Sequence, residues 1–153
     1  MSKLSESIVV KCPYHLAQQF VADALRKPLG EPGVMTVRVP LAGIDVSKDV
    51  VATVKEGADP MHFDQPWKVH WTPLDGGPYP DFDGEITVRA DEDYTTCLLE
   101  VTGDYRPPGG VLGQAFDALA GHKIAAATAT ALLEQIAAII VARYQSIQAA
   151  RHP

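Results

Sequence analysis

A chain of 153 residues, 46% of them apolar, is sized for one domain with a real hydrophobic core. Its 19 acidic against 13 basic residues give a net charge of -6 with no Lys/Arg cluster, which argues against a nucleic-acid backbone as partner, because that partner needs concentrated positive charge. Cys12 and Cys97 lie far apart without metal-type spacing, and the start MSKLSESIVVKC lacks the apolar core and cleavage pattern of a signal peptide, so the expectation is a cytosolic protein with reduced thiols.

In chain order, SIVVK (residues 7–11) is a β-branched run closed by Cys12-Pro13, since proline supplies no ladder donor. Over residues 14–26, Leu16, Phe20, Val21, Ala24 and Leu25 recur at helical spacing, and Pro28 and Gly30 end the helix. MTVRVPL then alternates with period two, and Pro40 puts that strand at a sheet edge or a strand end. KDVVATVK, WKVHWTP, DGEITVRA and TTCLLEVTGDYR alternate in the same way. They send Val50, Ala52 and Val54, then Trp67, Val69 and Trp71, then Gly84, Ile86 and Val88, then Cys97, Leu99, Val101, Gly103 and Tyr105 to one face. The opposite positions are polar, as expected of an antiparallel sheet covered on one side. Inward Gly84 and Gly103 are expected to mark bends that curve the sheet.

Residues 110–150 are rich in the strongest helix formers and are the segment long enough to cover that sheet. Ala125, Ala129, Leu132, Ile136 and Ile140 form one helical stripe, and Leu112, Phe116 and Leu119 form another out of line with it. A bend at Gly121, or two helices in succession, is therefore expected. Lys123, Glu134, Gln135 and Arg143 interrupt the apolar run, so no transmembrane segment is expected.

The order β, α, five β, then a long α predicts an α+β domain in which a curved antiparallel sheet of six to seven strands grips the C-terminal helix. This order resembles the START-like or SRPBCC superfamily. The runs WTPLDGGPYPDFDGEITV, GDYRPPGG and LGQAFDALAGHKIAAATATALLEQIA look like bacterial members in which the last strand ends in Tyr, then Pro-Pro and glycine before the helix. The likeness in element order covers one domain over residues 1–153, with its core at about residues 5–148. Pro107, Pro108, Gly109 and Gly110 read as the architectural corner between strand and helix. The rival phosphate cradle lacks the Lys-Ser/Thr ending of a P-loop and does not fit G-x-G-x-x-G.

What the resemblance implies is a cavity between sheet and helix that holds a hydrophobic or amphipathic, lipid-like small molecule. Trp67, Val69, Trp71, Val88, Leu99, Val101, Tyr105, Phe116 and Thr128 would line it. The bland alternative is that these aromatics are simply core. A cyclase or dehydratase acting in the same cavity would need two titratable groups in a water-poor pocket, with Asp117, Tyr105 and His122 as candidates. A protein-binding module, as in the Hsp90 activator homologues, would instead show a filled interior and an exposed apolar patch. No cofactor is expected. The spacings of His15, His62, His70, His122 and His152 match no zinc site, and PDFDGE lacks the first aspartate and last glutamate of a calcium loop. Homodimerisation through the helix or an edge strand is open, with no residue arguing for it.

Overall fold

A computed structural model describes residues 2–26, 33–41, 44–55, 67–73, 81–92, 95–106 and 111–151, with side chains described for 3–21, 49–53, 67–73, 81–92, 95–106 and 121–150. The elements are β1 (Ser2–Val10), α1 (Tyr14–Arg26), β2 (Gly33–Leu41), β3 (Ile44–Lys55), β4 (Trp67–Pro73), β5 (Asp81–Ala90), β6 (Cys97–Arg106) and α2 (Val111–Arg151). One six-stranded sheet runs β1-β6-β5-β4-β3-β2, with every neighbouring pair antiparallel. The last five strands form the expected meander, and β1 adds to its far side by pairing with β6 (Ile8↔Leu99, Val10↔Cys97). The expected α+β helix-grip arrangement is what the chain adopts.

Proline shapes two places. Pro40 sits on β2, one of the two outer strands of the sheet, opposite Asp45 beside the hairpin, where a missing N–H costs least. After β1 the Cys12 N–H donates to Val10 O (2.9 Å), and Pro13 O then accepts from Leu16 N (3.1 Å) and Ala17 N (2.9 Å). The proline carbonyl thus takes the first bonds of α1 while its ring ends the strand. α1 carries the chain from one edge of the sheet to the other and buries Ala17, Phe20 and Val21.

α2 is a single helix of 41 residues, which corrects the expectation of two helices in succession at Gly121. The stripe expected from the sequence is its core face, since Ala125, Ala129, Leu132, Ile136 and Ile140 are all buried. The second stripe, Leu112, Phe116 and Leu119, lies outside the described side chains, and the Pro107 to Gly110 corner outside the described residues. Within Gly121–Ala150 the most apolar 18-residue window has a mean hydropathy of 1.9, and the helix meets the length and apolarity of a membrane span. Its packing accounts for part of that apolarity, because 39% of its most apolar window is buried inside the fold.

The two helices divide the inner face of the sheet. α2 lies against β1, β6 and β2, and α1 lies against α2, β5 and β3. β4 buries Trp67, Val69 and Trp71 in the same core as both helices.

Candidate ligand-binding site

Strand alternation supplies the lining. Trp67, Val69 and Trp71 of β4 are buried, while Lys68 and His70 between them are exposed. On β5 the inward set is Phe82, Gly84, Ile86 and Val88, and on β6 it is Cys97, Leu99, Val101, Gly103 and Tyr105. All the large members except half-buried Val88 belong to one contiguous core with Ala125, Ala129, Leu132, Leu133, Ile136 and Ile140 of α2.

Phe82 organises the centre of this surface. Its ring stacks on Trp71 with centroids 4.0 Å apart and planes 13° from parallel. The Cζ end of the ring lies over Gly84 and Gly103, cross-strand partners in a β5–β6 register that runs unbroken through them. A methyl group on Gly84 would collide with Thr102 O and with Phe82, whose Cε1 would be 2.7 Å away. One on Gly103 would meet Asp83 O and, at 2.7 Å, Phe82 Cζ. The unbroken register shows no bulge there, and glycine is required because a phenyl ring and a neighbouring strand occupy the space of a side chain.

Polar groups inside are few. Thr128 is fully buried, and its hydroxyl donates to Ile124 O one turn back (2.7 Å). Trp71 Nε1, also fully buried, is the one buried side-chain nitrogen or oxygen among the described residues without a hydrogen-bond partner. Tyr105 is buried against α2, where the ring of His122 stands 6.1 Å from its own at a 49° tilt. Every Lys and Arg whose side chain is described is exposed.

Of the residues expected to line a site, Trp67, Val69, Trp71, Leu99, Val101, Tyr105 and Thr128 are buried and face one interior, with Val88 half-buried beside them. Phe116 and Asp117 lie outside the described side chains. Of the catalytic candidates, Tyr105 and His122 are brought together, but His122 is exposed. The sequence reading missed Phe82, because the strand was begun at Asp83. Extending the same alternation back by two residues would have found it. It also missed Glu6, half-buried on the face that carries Leu4 and Val10, where an inward-pointing charge discourages pairing at an outer strand.

Cys12 and Cys97 are buried and free. Burial raises the Cys12 thiol, and burial, then Cys12, then the Asp91 carboxylate push Cys97 up to about 11. Both therefore stay protonated near neutral pH, unlike a thiolate nucleophile. Among the described residues no group of three His, Cys, Asp or Glu side chains is placed to hold a metal ion. Among the residues with described side chains, the exposed large apolar ones are Val9 on β1 and Ile139 on α2.

Solved structures similar to this chain include a START superfamily protein from Mycobacterium smegmatis, 15% identical over 95% of this chain and 98% of that one, with a TM-score of 0.40. Another is the Zhui aromatase/cyclase from Streptomyces sp. R1128, 13% identical over 92% of this chain and 88% of that one, with a TM-score of 0.42. The strand order and the long helix across the sheet's inner face make the fold a helix grip. No protein-family model and no curated protein matches the sequence.

Proposed function

We propose that this helix-grip domain binds an apolar or amphipathic small molecule between its sheet and α2. The observation that carries the reading is the aromatic inner face of the sheet, where Trp67, Trp71, Phe82 and Tyr105 are buried in one core with Ala125 and Ala129 of α2, small side chains beside the buried Thr128. Aromatic walls with a few polar atoms are the usual lining of a small-molecule site. The surface beyond the sheet's inner face offers less, since its outward positions Lys68, His70, Glu85 and Arg89 are polar and exposed.

Native mass spectrometry of gently purified protein, followed by a thermal-shift screen of lipids, sterols and aromatic polyketides, tests the reading. A binding class present at about a hundred times its Kd should add about 2.7 kcal/mol of stability. The expected result is a co-purifying compound, or a concentration-dependent rise in Tm confined to one class. An empty protein unmoved by every class would overturn it.

A further inference from the structure

We infer that the molecule held in this interior is neutral and presents a hydrogen-bond-accepting oxygen, such as a ketone or ester carbonyl, to the indole N–H of Trp71; this rests on the binding reading above. A buried polar hydrogen without a partner is uncommon, and leaving one unmade is unfavourable. Phenylalanine at position 71 would stack on Phe82 without that penalty, so the packing of the strand does not by itself call for an indole. Indole N–H donates and cannot accept, which fixes the complementary group as an acceptor.

The surroundings narrow the class further. The hydroxyl of Thr128 already donates to Ile124 O, so the orphan donor is Trp71. Every Lys and Arg whose side chain is described is exposed, so a carboxylate or phosphate drawn into the interior would meet no described counter-charge and would lose its hydration. A neutral oxygen incurs far less of that cost. Phe82 covers one face of the indole, whereas the N–H projects in the ring plane, so an acceptor approaches at the edge and the stack stays in place.

The test uses 9-fluorenone and fluorene, which share a ring skeleton and differ in the carbonyl. Both are titrated into protein carrying 15N-labelled tryptophan, with Trp67→Phe assigning the two indole signals. Fluorenone is expected to bind about three- to tenfold more tightly than fluorene, the net worth of one hydrogen bond. It should move the Trp71 indole proton downfield while the Trp67 signal stays in place. In Trp71→Phe the two compounds should bind alike, and if that variant does not fold the wild-type indole signal still decides. Equal affinities with an unmoved Trp71 signal would overturn the inference and leave the binding reading standing. No binding by either compound would overturn the inference, and silence in the wider ligand screen as well would remove the binding reading with it.

Discussion

Two cross-strand pairs on β4 and β5, adjacent in sequence, lie on opposite faces of the same sheet. Trp71↔Phe82 stacks at 4.0 Å with both side chains fully buried. His70↔Asp83, one residue along each strand, makes a shorter contact, Nδ1 to Oδ1 at 2.6 Å, with the two side chains 47% and 69% exposed. Distance alone ranks the second pair higher, but water reverses the order. The aromatic pair removes a large apolar area from solvent, whereas the exposed polar pair gains little over the hydration that each partner keeps.

The comparison sharpens most when the buried pair is broken. Phe82→Ala should cost about 3–5 kcal/mol, the usual range for deleting a buried aromatic, because the ring's contacts with Trp71, Gly84 and Gly103 are lost together. Urea unfolding should show a lower midpoint at unchanged slope. A loss below about 1 kcal/mol, the scale of an exposed pair, would mean that Phe82 is not packed as described. Next in size is Gly84→Ala, which leaves both aromatics in place and spoils their seat. Its added methyl collides with Thr102 O and the Phe82 ring, so roughly 1–3 kcal/mol of overpacking is expected, with a changed near-ultraviolet dichroism from the displaced stack. Native-like stability and spectrum would show that the glycine is not needed for close approach.

Most of the fold is legible in the sequence because it depends on periodicity. The bounds of α1 and β4 match the expected segments, and the stripe from Ala125 to Ile140 gives the buried face of α2 without any knowledge of the sheet. The continuity of α2 through Gly121 is not legible, since a glycine's helix cost is about 1 kcal/mol, which tertiary packing overrides. The site is legible in part. Alternation places Trp67, Trp71 and Tyr105 inward, but the role of Gly84 and Gly103 depends on a ring from a neighbouring position lying across two strands. Pattern shows which way a residue points, and it does not show what fills the space above it. The unpartnered Trp71 N–H belongs to the same category, because hydrogen-bond satisfaction is a property of three-dimensional neighbours.

The smallest effect is expected at the exposed pair. His70→Ala should change stability by no more than about 1 kcal/mol, and a double-mutant cycle with Asp83→Ala should return a coupling in the range of about 0.2–1 kcal/mol. Both side chains lie on the outer face, so neither substitution touches the Trp71–Phe82 stack, and the near-ultraviolet signal should remain that of the wild type. Whatever coupling exists should shrink further in about 1 M salt, where the screening length falls to about 3 Å. A salt-insensitive coupling comparable to the Phe82→Ala loss would mean that the pair is shielded from water, and burial would no longer explain the difference between the two faces.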